Sequence, residues 1–240
     1  MEEQFSSHIS RQFNAELEAL RKDVMAMGGM VERMVAEAIG ALVEADVPRA
    51  RAVIAADDQV NQLEKAIDEQ AIQLLARRQP TASDLRLVMA IIKTVNDLER
   101  VGDEAEKIAK MAIILSDHEP PRTHYFELES MADHVRQMLR DALDGFARML
   151  STVAVDLFKA DEKVDNDYEA MLRQYYTYIA ENPRSTPMVL NAVWIARSLE
   201  RIGDHAKNVG EHVFFLVEGR DMRHTSQKEK AAVIDQHDQD

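Results

Sequence analysis

Apolar residues recur every three or four positions along most of the chain, and the recurrence breaks only at long intervals. Ile54, Val60, Leu63, Ile67 and Leu74 share one stripe, as do Ile91, Val95, Leu98, Val101, Ala105, Ile108 and Leu115. This is the spacing of a helix with one buried face. Breakers stand at Asp46-Val47-Pro48, Gln79-Pro80-Thr81, His118-Glu119-Pro120-Pro121, Glu181-Asn182-Pro183, Thr186-Pro187 and Gly219. The pattern therefore predicts six long helices, over residues 8–45, 48–78, 82–117, 122–152, 154–182 and 186–219. Such helices are rods of up to ~50 Å packed side by side. Thr81 is placed to cap the third, with Asp84 completing a capping box. Thr186 is placed to cap the sixth, with Pro187 at the first helical position, where its missing N–H costs nothing.

The pattern is written twice. LERVGDEA, from Leu98, returns as LERIGDHA, from Leu199, with six of eight positions identical at an offset of 101. VERMVAEAIGAL, from Val31, matches VRQMLRDALDGF, from Val135, and ADDQVNQ, from Ala56, matches ADEKVDN, from Ala160, both at an offset of 104. Helices one and two thus correspond to four and five, and the loop before the last helix is three residues shorter in the second copy. A loop deletion between intact helices is the mark of a duplicated unit. The expected fold is all-α: two tandem antiparallel three-helix bundles, over 1–118 and 119–220, followed by a polar tail at 221–240.

Composition agrees with long helices, since Gly and Pro are few and aromatics make up only 5%. There is no cysteine, which removes disulfides and thiolate metal sites. The first residues carry no basic-then-apolar leader, and no apolar run approaches the ~18 residues of a membrane span. A cytoplasmic protein is expected. The net charge of −14 repels phosphate backbones, which argues against nucleic acid as a partner.

The charge also directs attention to the repeated octet. Glu99 and Asp103, and again Glu200 and Asp204, stand four residues apart on one helix face. Like charges at that spacing destabilise a helix by ~0.2–0.5 kcal/mol. Each pair brackets a glycine at the border of the apolar stripe. Asp57 holds a similar border position on the second helix. Its counterpart Asp161 is followed by Asp165, where the first half has Asn61. Carboxylates facing one another from two neighbouring helices make an oxygen site for Mg²⁺, Ca²⁺, Mn²⁺ or ferric iron. The extra charge of Asp165 leads to the expectation that the second site binds metal more tightly. A single octet would read as a solvated or salt-bridged helix border, and its recurrence tips the balance towards metal. His205 points about 100° away from Asp204 on the helical wheel, which makes it an outer-sphere group rather than a ligand. Gly28-Gly29 reads as a kink or a close helix contact, and Met25, Met27, Met30 and Met34 as packing. No phosphate-binding loop, GxSxG, HExxH or Glu-x-x-His pair is present.

RQPTASDLR (Arg78–Arg86), LERVGDEAEKIAK and RSLERIGDHAKNVGEHV, carried on a duplicated six-helix chain, resemble the PhoU family over residues 8 to 220. The resemblance implies a non-enzymatic, cytoplasmic and commonly dimeric negative regulator of phosphate uptake and of the phosphate-starvation response. It implies an adaptor between the ATP-binding subunit of a phosphate ABC transporter and a membrane sensor histidine kinase, reaching the membrane only through those partners. Family members hold iron or zinc clusters, or Mg²⁺ or Mn²⁺, at E(D)xxxD motifs. By resemblance these map to Glu99 and Asp103, Glu200 and Asp204, and Asp161 and Asp165, with Asp57 and Asn61 as the departing fourth copy. The rival reading of the same acids is a metal store or a metal-dependent hydrolase.

Overall fold

Helix ends in the computed structural model fall where the backbone turns left-handed, at Ala45, Gln79, Met149 and Gly219. The structure describes residues 2–80, 82–116 and 126–222, with side chains over 12–80, 82–116 and 127–222. Six helices are described: α1 (Glu2–Glu44), α2 (Val47–Arg78), α3 (Ala82–Ser116), α4 (Phe126–Arg148), α5 (Val153–Glu181) and α6 (Thr186–Glu218). After α1 the backbone turns left-handed at Ala45, φ 55°. Asp46 then caps α2, its carboxylate accepting from the Arg49 N–H at 3.0 Å. Gln79 closes α2 in the left-handed region, donating its N–H to the Leu75 carbonyl at 3.1 Å. Gly219 closes α6 in the same way, donating to the Phe215 carbonyl.

One expected cap is replaced by another device. Thr186 is already the first residue of α6, entered from a 3₁₀ turn at Pro183–Ser185. Its hydroxyl donates to the Pro183 carbonyl at 2.6 Å instead of accepting a helical N–H. The 3₁₀ turn sets helical geometry before α6 begins, so no side-chain cap is used there. Thr81, the boundary between the halves at 118/119 and the tail from 223 lie outside the described residues. The tail expected from 221 is anchored at its second residue, since Met222 is buried with Ala154 and Phe214.

Helices α1, α2 and α3 pack on one another, as do α4, α5 and α6. The two antiparallel three-helix bundles are joined along α3 against α6, with α1 against α4 beside them. One apolar core runs through both, from Leu17 to Leu216. Met27 and Met34 are buried in it, and Met25 and Met30 pack on its edge. The close contact expected at Gly28 is between the halves: a Cβ there would overlap the Leu143 side chain of α4. The α3–α6 pair is antiparallel, since Arg86, Asp97 and Glu104 of α3 bond in turn to Leu216, Asn208 and Arg201 of α6.

Candidate metal centres and the seam between the halves

In the second half the acids of α5 and α6 come together around a lysine. Asp161 is only 8% exposed. The Lys207 ammonium donates to Asp161 Oδ2 and, at 2.9 Å, to Asp204 Oδ1. Burial pushes the Asp161 carboxyl up, and Asp204 and Asp165 add to this while Lys207 opposes it. Burial alone would lower Lys207, but its two carboxylate partners hold it raised. Glu200 pairs with Arg197 through one oxygen. Its other oxygen, Oε2, is buried without a hydrogen bond. Burial and then Asp204 raise the Glu200 carboxyl.

In the first half α2 and α3 present a looser version. Asp57 Oδ2 accepts from the Asn61 amide at 2.9 Å, and Asp57 Oδ1 is buried without a partner. Burial, then Glu106 and Asp103, raise the Asp57 carboxyl. Burial, then Asp103, raise Glu99. Glu99 Oε2 lies 3.4 Å from Arg100 Nε, an ion pair without hydrogen-bond geometry, while Arg100 Nη1 donates to Asp103 at 3.2 Å. Gly102 is what brings the helices close, since a Cβ there would stand 3.2 Å from Val60 and 3.4 Å from Asp57 Oδ1.

Asp161, Glu99 and Glu200 are less exposed than their border positions imply, whereas Asp165 is exposed and the Asp204 side chain is 44% exposed. Among the described residues, however, no group of three His, Asp or Glu side chains is arranged to hold one ion. The fit to metal therefore rests on the buried oxygens left without donors: Asp57 Oδ1 and Glu99 Oε2 in the first half, and in the second Glu200 Oε2 alone, on a carboxylate already paired with Arg197. A buried carboxylate oxygen without a donor is costly, and a hard cation relieves it. One or two direct carboxylates with retained water suit Mg²⁺ or Mn²⁺ better than a closed cage of protein ligands. The ranking drawn from Asn61 against Asp165 also meets a counterweight. At the repeat position that is Glu106 in α3, α6 has Lys207.

A second polar cluster was not expected from the sequence. Asp97, 8% exposed, lies in the seam between α3 and α6. Its Oδ1 meets His205 Nδ1 at 2.8 Å and the Asn208 amide at 3.0 Å, and its Oδ2 meets His212 Nε2 at 2.8 Å. Burial alone would raise this carboxyl; the three donors outweigh burial and hold it at about 2. His205 thus turns away from Asp204, as the wheel requires, and belongs to the seam. Farther along, Glu104 is 1% exposed and pairs with Arg201 at 2.8 Å and Lys107 at 2.9 Å. The available signal was difference, not likeness. Asp97, Glu104, Lys107 and Met111 of the first copy stand where the second has Ser198, His205, Asn208 and His212.

Two stretches, residues 24–112 and 128–213, match the model of the PhoU domain. The chain belongs to the PhoU family. It is 49% identical to the phosphate-specific transport system accessory protein PhoU homolog of Pseudomonas putida, over 97% of this chain and 91% of that protein. It is 47% identical to the phosphate-specific transport system accessory protein PhoU of Escherichia coli K12, over 98% and 97%. The crystal structure of PhoU from Pseudomonas aeruginosa superposes with a TM-score of 0.84 at 49% identity, covering 87% of this chain and all of that one. PhoU from Streptococcus pneumoniae, described as a phosphate transport system regulatory protein, superposes at 0.81 with 29% identity, over 88% and 99%. The six-helix PhoU architecture explains why the domain model matches the chain twice, once in each bundle.

Proposed function

We propose that this PhoU-family chain is a regulatory accessory protein of a phosphate transport system. It restrains phosphate uptake and keeps the phosphate-starvation response off when phosphate is plentiful. It does so as an adaptor between the ATP-binding subunit of a phosphate ABC transporter and a sensor histidine kinase, working as a cytoplasmic homodimer. The observation that carries the reading is the match of both halves to PhoU domains at nearly half identity over almost the whole chain. An adaptor also suits a chain of net charge −14, a field that attracts basic protein surfaces and repels free phosphate. Among the described residues no helix is long and apolar enough to cross a membrane, so contact with membrane components runs through partners.

Metal belongs to this reading as a structural counterion. Asp57, Glu99 and Asp103 would hold it in the first half, and Asp161, Asp165, Glu200 and Asp204 are the matching acids of the second. A bound Mg²⁺ or Mn²⁺ supplies positive charge where buried carboxylates repel one another, and this strengthens the α2–α3 contact. The raised Asp57 and Glu99 carboxyls mean that protons compete for the same oxygens, so affinity falls as pH falls into the carboxylate range.

The test is deletion of the gene in its own host with a starvation-responsive reporter. The reporter is expected to be on in phosphate-rich medium and silenced by the parent protein, and the parent is expected to co-purify with the transporter's ATP-binding subunit. A reporter that stays silent without the gene overturns the regulatory role.

A further inference from the structure

We infer that Lys207 is the built-in counterion of the second carboxylate cluster, standing where a divalent cation stands in the first, so that only the first half takes up metal. This rests on the reading of the first cluster as a hydrated-cation site, and the experiment below separates the two.

The argument starts from the repeat. Asp57 corresponds to Asp161 at the offset of 104, and Asp103 and Glu106 correspond to Asp204 and Lys207 at the offset of 101. In the second half the Lys207 ammonium sits between the acid of α5 and the acid of α6, donating to both. In the first half the same helical position carries a carboxylate. Glu106 pairs with Lys110 at 2.6 Å, four residues on along its own helix, and stands as a like charge to Asp57.

Among the described residues no ammonium or guanidinium pairs with Asp57. One of its oxygens accepts from Asn61, and the other is buried without a donor. The arginines do not even out the difference. Arg100 serves Asp103 within the first cluster, whereas its counterpart Arg201 leaves the second cluster to pair with Glu104 across the seam. One half thus carries a tethered cation between its two helices, and the other has none at that place.

Physical chemistry makes the two arrangements exclusive. Lys207 is tethered to the protein, so holding it costs no loss of translational freedom, and its charge contacts both carboxylates directly. A metal ion entering there must first expel the ammonium from two charge-assisted hydrogen bonds. Access is not what keeps metal out. A groove of about 830 Å³ between the halves is lined by Asp204 and Lys207.

The experiment uses the full chain, stripped with chelator and titrated with Mn²⁺, with free Mn²⁺ read by electron paramagnetic resonance and folding by circular dichroism. The parent is expected to bind Mn²⁺ in a manner lost in Asp57→Asn and kept in Asp161→Asn. Lys207→Gln is expected to bind one Mn²⁺ more per chain than the parent, and to gain about 2–4 °C more in Tm from Mn²⁺. Lys207→Arg, which keeps the charge, is expected to bind no more than the parent. The inference is overturned if Asp161→Asn releases the parent's Mn²⁺, or if folded Lys207→Gln binds no more than the parent. If the parent binds none while Lys207→Gln binds one, the first-half metal reading fails and the role of Lys207 stands.

Discussion

Asp97 receives three donors from one face of α6, and this gives the protein a distinct acid limb. Its carboxyl is held at about 2, below the ordinary 3.8. A carboxyl lowered by folding contributes stability that is full above its unfolded value and is lost as pH falls through its folded one. The window is therefore about pH 4 down to 2, and the contribution at neutral pH is about 2 kcal/mol. Asp97→Ala leaves His205, Asn208 and His212 facing a void. It is expected to lower urea-unfolding stability by roughly 2–4 kcal/mol at pH 7. The gap between parent and variant should narrow by pH 2. Asp57, Glu99, Asp161 and Glu200 act in the opposite sense, since folding raises them, first through burial and then through neighbouring acids, and protonation relieves both. The octet acids were legible because they recur. Asp97, Glu104 and Lys207 were not, because they stand where the two copies disagree, and a search for likeness passes over them.

At the scale of the helix, neighbouring glycines have opposite meanings. A Cβ on Gly28 would overlap Leu143 and part α1 from α4, whereas the nearest atom to a Cβ on Gly29 is Arg33 Nη1 at 4.0 Å. Gly28→Ala is expected to destabilise by about 1–3 kcal/mol. Gly29→Ala, in open space within the same helix, is expected to stabilise by about 0.5–1 kcal/mol. Thermal unfolding of the two variants beside the parent checks both signs. The sequence pair Gly-Gly marked the place but not which glycine faces a partner, since that depends on how α1 and α4 pack. Helix number was readable from the period of three and four, because the apolar stripes of α2 and α3 continue for many turns, whereas some ends were not: α1 begins at Glu2 instead of 8, and α4 stops at Arg148 instead of 152, where Met149 turns left-handed. The start of α6 at Thr186 was readable too, but the absence of a side-chain cap was not, because Thr186 and Pro187 carry the signal of a capped start whether or not a 3₁₀ turn precedes them.

For the whole molecule, the decisive feature is that the repeat does not end in two separate cores. Leu98 and Leu199, the opening residues of the two octets, belong to one buried cluster. Unfolding is therefore expected to be a single cooperative step. Trp194, the one tryptophan, lies on α6 and reports the second half, while far-ultraviolet circular dichroism reports all six helices. Their denaturation curves are expected to coincide. A tryptophan transition displaced from the dichroism transition would mean that the halves melt independently. Glu104→Gln, which removes the charge facing Arg201 and Lys107, is the variant expected to weaken this coupling first. The duplication was plain in the sequence, but the joining of the copies was not, because most polar residues of the seam, Asp97, Glu104, His205, Asn208 and His212, stand where the match breaks.

The seam also has a handedness of charge. Asp97 and Glu104 are on α3, and their cross-seam partners His205, Asn208, His212 and Arg201 are all on α6. Two first halves meeting in the same way would replace the three α6 partners of Asp97 by Glu104, Lys107 and Met111, setting one acid beside another. Two second halves would set Ser198 in the place of Asp97, and His205 against Arg201. The copies have become plug and socket. The Asp97 cluster is complete only where unlike copies meet, so an exchange of halves between two molecules keeps it only by trading unlike partners.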